Sequence, residues 1–148
     1  MSEDTLIAEE GGADVHHWPL RVYYEDTDLA GIVYYANYLK FIERARTEWV
    51  RALGIDQMTL KAETGVVFAV RRIEADYLSP ARFDDELAVR TSVVSATRAR
   101  IVLRQDVTRA DAVLFVAMVT LVALDERGRA VRLPAALTGR LGQAFDRA

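Results

Sequence analysis

A change of period after residue 54 constrains this chain more than any other feature. Between Asn37 and Leu53 the charged or polar residues Lys40, Glu43, Arg44, Thr47, Glu48 and Arg51 recur at alternating long and short steps, with Tyr38, Ile42, Ala45, Trp49 and Ala52 opposite them. That spacing predicts one long amphipathic helix. Glu48 is within ion-pair reach of both Arg44 and Arg51, and Gly54 is placed to end the helix at its C′ position. Beyond it the alternation becomes two-residue and stays so. Val66–Tyr77, Glu86–Ser95, Arg98–Arg109 and Ala112–Leu124 all read as strands.

The links between these strands are short: SPARFDD, then Ala96-Thr97, then Ala110-Asp111. Short links favour antiparallel neighbours, because a parallel crossover needs a dozen or more residues. A further strand is expected before the helix, where Leu20, Val22 and Tyr24 alternate with Arg21, Tyr23 and Glu25. DERGR (Asp125 to Arg129) reads as a turn, after which Val131 to Leu133 rejoins the sheet until Pro134. The expected fold is α+β: one strand, one long helix, then a four-stranded antiparallel meander. The strand Ala112–Leu124 is apolar on both sides, so it is expected to lie centrally with its second face covered by another subunit. The alternative cover is the C-terminal tail folding back.

The chain's 148 residues suit one domain, and 51% hydrophobic with 28% charged residues is a globular balance. Without cysteine there is no disulfide, thiolate nucleophile or Cys-bound zinc, and a cytoplasmic address is expected. No apolar run approaches the roughly 20 residues of a membrane helix, so no transmembrane segment is expected. Residues 1–17 carry Glu3, Asp4, Glu9, Glu10 and Asp14 with no Lys or Arg; they read as a disordered acidic lead-in to a single domain over 18–148, and not as a signal peptide. The net charge of -3 therefore hides a slightly basic domain.

The only histidines, His16 and His17, read as a solvated pair at the edge of the lead-in, which argues against Ser-His-Asp and His-rich metal chemistry. No metal or other cofactor is expected. Nucleotide-binding glycine patterns and the nucleophile-elbow motif are missing too. A carboxylate is the best remaining tool. The densest cluster is Glu25-Asp26-Thr27-Asp28, just before the long helix, whose N-terminus presents unpaired N–H groups to an oxyanion or a polarised carbonyl. Asp28 could serve there as nucleophile or general base. It could equally be a turn or capping aspartate.

The residues from Trp18 to Gly54 include YYEDTD, GIVY-x-ANY-L and ERARTEW in order, and Phe68 to Leu87 reads FAVRRIEADYLSPARFDDEL. Together they strongly resemble the YbgC-type acyl-CoA thioesterases of the 4-hydroxybenzoyl-CoA thioesterase superfamily. The resemblance implies a hotdog fold, a long helix wrapped by a curved antiparallel sheet. It places the catalytic carboxylate on Asp28, with the backbone N–H of Tyr35 polarising the thioester carbonyl and Gly31 in the substrate-binding segment. Many YbgC-type members carry His where this chain has Tyr35, as the 4-hydroxybenzoyl-CoA branch does, so an imidazole role is not implied.

A coenzyme A substrate is a polyanion best met by arginine, and all but two of the chain's Lys and Arg residues are arginine. Arg71, Arg72, Arg98 and Arg100, with Arg129 and Arg132 behind them, are the candidates. The expected function is hydrolysis of acyl-CoA to free acid and coenzyme A by a homo-oligomer, dimer or tetramer, with the site at a subunit interface. Acyl carrier protein is a possible partner, and nucleic acid is not expected. The rival is a non-catalytic holder of acyl groups or acyl carrier protein in a Tol-Pal-associated system. A hotdog hydratase is disfavoured, since it needs a His-Asp style pair.

Overall fold

A computed structural model describes residues 5–8 and 14–141 of the chain. Seven strands, β1 (Thr5–Ala8), β2 (Asp14–Arg21), β3 (Val67–Tyr77), β4 (Glu86–Ala96), β5 (Ile101–Arg109), β6 (Ala112–Leu124) and β7 (Ala130–Val131), form one antiparallel sheet. The order is β1-β2-β4-β5-β6-β3, with β7 added to β6. Among the described residues three α-helices accompany it: α1 (Asn37–Ala52), α2 (Gln57–Thr64) and the short α3 (Ala135–Thr138).

The helix that the period predicts is α1, and it packs on the sheet through Tyr38, Phe41, Ile42, Ala45, Trp49 and Val50. Its last turn carries the Arg51–Glu48 ion pair, and Gly54 follows with φ 85°. The sheet's inner face meets it with Val89, Leu103, Val107, Phe115, Ala117 and Val119. Burying these side chains supplies most of the driving force, at about 25 cal/mol per Å². A long helix held by a curved antiparallel sheet is the α+β hotdog architecture that the resemblance implies.

Several expectations are corrected. The four late strands are not a simple meander: β4, β5 and β6 are neighbours in sequence order, but β3 pairs with β6 and not with β4. The eight residues between β3 and β4 reach across the sheet's end, because three inter-strand steps of about 4.8 Å are well within an extended segment of that length. Leu78 and Ser79 donate to the Leu114 carbonyl on the way. The β4–β5 link runs from Thr97 to Arg100, not over two residues: the Thr97 N–H donates to the Arg100 carbonyl, and the Thr97 hydroxyl accepts from the Ala99 and Arg100 amides. Arg98 and Arg100 therefore lie in the turn. The link at Ala110 and Asp111 does have the tight hairpin form, with φ 47° and 70°.

The first strand also starts earlier than expected. β2 runs from Asp14 to Arg21, and Tyr24–Asp26 is a short 3-10 turn. Asp14 to His17 thus belong to the sheet, with β1 paired beyond them; residues 1–4 and 9–13, the rest of the expected lead-in, lie outside the described residues. His16 is fully buried, not solvated, because the pleat turns it toward α1. Burial lowers its pKa, partly opposed by the nearby Glu48 carboxylate. It shares a cross-strand row with Thr91 and Gln105. Gln105 ties the row to the helix: its amide donates to the Ile42 carbonyl and the Thr91 hydroxyl, and its oxygen accepts from Arg46, each at 2.9 Å.

The helix α2 is absent from the sequence reading. None of its residues is buried, so it has no apolar period to detect. What marks it is local: Asp56 caps the Thr59 amide, and Gly65 ends it with φ 74°. β6 is an interior strand but not a central one: it lies between β5 and the edge strand β3. The described C-terminal residues pack elsewhere: Leu137 joins the core beneath α1, and Arg140 reaches the Leu53 carbonyl.

Candidate functional site

Asp28 stands at the first corner of a turn. Its carbonyl accepts the Gly31 N–H at 2.9 Å, and its own N–H donates to the Ile32 carbonyl at 3.0 Å. Gly31, at φ 79°, makes that corner possible without strain. One carboxylate oxygen, Oδ1, accepts the Ala30 amide at 2.9 Å. Among the described residues the other oxygen makes no hydrogen bond. The aspartate is thus both a turn former and a fixed carboxylate with a free oxygen.

The following segment leads into α1. The Tyr34 N–H and the Asn37 side-chain amide both donate to the Asp26 carbonyl at 2.9 Å, and the Asn37 N–H donates to the Tyr34 carbonyl at 2.8 Å. Tyr35 immediately precedes the cap residue Ala36. Its N–H has no hydrogen-bond acceptor among the described residues. The peptide unit carrying that N–H already has its carbonyl bonded to Asn37, which polarises the N–H as a donor.

Asp28 and Tyr35 line one cavity of about 350 Å³. Ile32, Val33, Leu78 and Pro80 supply apolar wall, and Tyr38, Tyr77 and Ser79 supply hydroxyls. Tyr38 stacks on Phe115 at 5.0 Å, and its hydroxyl accepts the Ala81 amide at 3.0 Å. Burial raises the pKa of both Tyr38 and Tyr77, so both remain neutral phenols near pH 7. The loop beneath is pinned by Asp85, which pairs with Arg109 at 2.7 Å and accepts the Arg82 amide at 2.8 Å. Burial pushes that carboxyl up, but these bonds outweigh it and hold it below the usual carboxylate range.

The arginines are elsewhere. Arg71 and Arg72 are exposed on β3, and Arg72 pairs with Glu74 at 3.1 Å. Arg98 and Arg100 are exposed in the β4–β5 turn, which contacts the Arg132–Leu133 segment through a bond from the Leu133 N–H to the Arg98 carbonyl. Arg129 pairs with Asp125 at 3.6 Å. None of them lines the cavity. Cavity and β4–β5 turn lie at opposite ends of β6, roughly 23 Å apart at about 3.3 Å per residue. Gly31 shapes the Asp28 turn but is likewise outside the lining. Tyr77 is the site residue that the sequence reading did not single out; its only signal was its place at the end of a strand within the matching stretch.

A helix wrapped by a curved antiparallel sheet, opening at its N-terminus on a cavity with a single carboxylate, defines the class to which known proteins can be compared. The thioesterase superfamily profile matches residues 30–116. An acyl-CoA thioester hydrolase YbgC of Escherichia coli is 46% identical over 64% of this chain and 69% of its own length. An acyl-CoA thioesterase YbgC of Haemophilus influenzae is 44% identical over 73% of this chain and 79% of its own. Among solved structures, a probable thioesterase from Bartonella henselae superposes with a TM-score of 0.78 at 33% identity, covering 81% of this chain and 99% of that one. The chain belongs to the thioesterase superfamily and groups with its YbgC-type members.

Proposed function

We propose that this chain hydrolyses the thioester bond of acyl-CoA, with Asp28 as the reacting carboxylate and the Tyr35 N–H as the donor to the thioester oxygen. The observation that carries this reading is the meeting of the two groups in one cavity, each with hydrogen-bonding capacity unused among the described residues: one carboxylate oxygen and one amide. Such an amide stabilises charge as it develops on the carbonyl oxygen. Asp28 either attacks the acyl carbon, expelling the thiolate and leaving an anhydride that water opens, or removes a proton from the attacking water. In both routes the C–S bond breaks, a C–O bond replaces it at the acyl carbon, one water is consumed, and the thiolate leaves and takes up a proton that this water supplies. Thiolate is a good leaving group, so no strong general acid is needed.

The reading extends to a homo-oligomer, dimer or tetramer, resident in the cytoplasm. β3 is an edge strand that leaves Val70 and Ile73 exposed on the side of the sheet that α1 covers. The unpaired backbone groups of that edge, beside these two apolar side chains, offer a place for a second copy to pair. Pairing at β3 would bring the far end of one protomer's sheet toward the cavity of the other. Arg71, Arg72, Arg98 and Arg100 are the proposed contacts for the coenzyme A phosphates on that geometry. Among the described residues no helix is long and apolar enough to cross a membrane.

The rival reading, a non-catalytic partner that holds acyl groups or acyl carrier protein in a Tol-Pal-associated system, draws on exposed apolar side chains near the site, Tyr24, Leu29 and Phe83. Steady-state thiol release separates the two. Over a panel of short, long and aromatic acyl-CoAs, the wild type should turn over at least one class, whereas no release from any substrate would leave the binder.

A further inference from the structure

Tyr77 closes β3 on the inner side, opposite Phe115. Its ring packs edge-on against Tyr38, Phe115 and Tyr35, with centroids 5.5, 4.9 and 6.2 Å apart. Its hydroxyl donates to the Tyr35 carbonyl at 2.9 Å. The other bonds of the Tyr34–Ala36 segment run to Asp26 or into the start of α1; among the described residues this phenol is the segment's one hydrogen bond to the sheet.

We propose that Tyr77 is a positioning residue for the reaction: by holding the Tyr35 carbonyl it fixes the backbone rotation that aims the Tyr35 N–H into the cavity. The inference rests on the reading of Asp28 and Tyr35 given above. The carbonyl and the N–H of Tyr35 flank one α-carbon, so a bond to the first restricts the dihedrals that orient the second. Tyr77 is half exposed, but the rings of Tyr38, Phe115 and Tyr35 flank it and restrict the phenol, and a donor held this way needs little reorganisation when charge develops. The hydroxyl, and not the ring, is the functional part.

That distinction sets the test. Tyr77→Phe keeps the ring packing and removes the hydroxyl. Outright loss of an oxyanion donor costs about 100- to 1,000-fold in kcat, and loosening one should cost less, about 5- to 30-fold, with KM within twofold. A second measurement reads orientation directly: the carbonyl stretching band of an aromatic acyl-CoA bound to Asp28→Asn, compared with the same ligand on Asp28→Asn/Tyr77→Phe. The proposal expects the band to move to higher frequency when the hydroxyl is lost, because the carbonyl is then less polarised. Wild-type kcat in Tyr77→Phe, or a reduced kcat with an unmoved band, would overturn it. If Asp28→Asn itself turns over at the wild-type rate, the reading of Asp28 fails instead, and the Tyr77→Phe rate still decides the role of the hydroxyl.

Discussion

Two polar clusters sit against α1, and they are built on opposite principles. Under the middle of the helix, Gln105 bonds Thr91, Arg46 and the Ile42 carbonyl in a buried row that His16 extends. At the helix start, Asp28 and Tyr35 face a cavity with one oxygen and one amide left unbonded among the described residues. Buried polar groups must be paired, and Gln105 and Thr91 obey that rule. The open cluster keeps its bonding capacity for something that is not part of the chain. The difference separates a polar group that maintains the fold from one that is available for chemistry, in a way residue type alone does not.

Mutation should separate the clusters cleanly. The largest effect is expected at Asp28: Asp28→Asn retains the turn's hydrogen bond to Ala30 but should lower steady-state kcat at least 100-fold while leaving the thermal midpoint close to wild type. Gln105→Ala should do the reverse. It removes one hydrogen-bond partner each from the Ile42 carbonyl, the Thr91 hydroxyl and Arg46, costing about 1–3 kcal/mol of stability by chemical denaturation, with kcat per folded molecule largely preserved. A comparable loss of kcat in both variants would erase the contrast.

Smaller effects sharpen it. Gly31→Ala meets open space but must place a side chain at φ 79°, which costs about 1–2 kcal/mol. Since Gly31 shapes the Asp28 turn, its kcat should fall along with its unfolding midpoint, unlike that of Gln105→Ala. The smallest effect is on pH dependence. His16 has a folded-state pKa below its unfolded value near 6.5, so the unfolded chain binds more protons in acid. Stability should therefore be retained above that value and decline as pH falls through and below it. His16→Gln should flatten that limb in denaturation curves measured from pH 8 to 5; an unchanged limb would assign it to other groups.

What the sequence disclosed follows the same division. The helix α1 and strand β6 are legible because a strong period governs each, and β6 keeps its expected bounds, Ala112–Leu124. The partner of β3 is not legible, since strand pairing depends on how far a loop reaches and not only on its length in residues. α2 escapes because it buries nothing, and His16 because a charged neighbourhood in the sequence masked the strand that buries it. The role proposed for Asp28 comes from a motif. The one proposed for Tyr77 does not, because it depends on a bond to a residue 42 positions away. Polar residues that act across the fold carry no local signature.

The most direct test of the account is a single turnover with enzyme in excess over an acyl-CoA that the wild type hydrolyses, following thiol release from wild type and Asp28→Asn at equal folded concentration. Excess enzyme removes product release from the comparison, and a parallel binding titration confirms that the variant still takes the substrate. The account predicts that Asp28→Asn binds it with little change and releases thiol at least 100-fold more slowly. Release at the wild-type rate by the substrate-bound variant would contradict it.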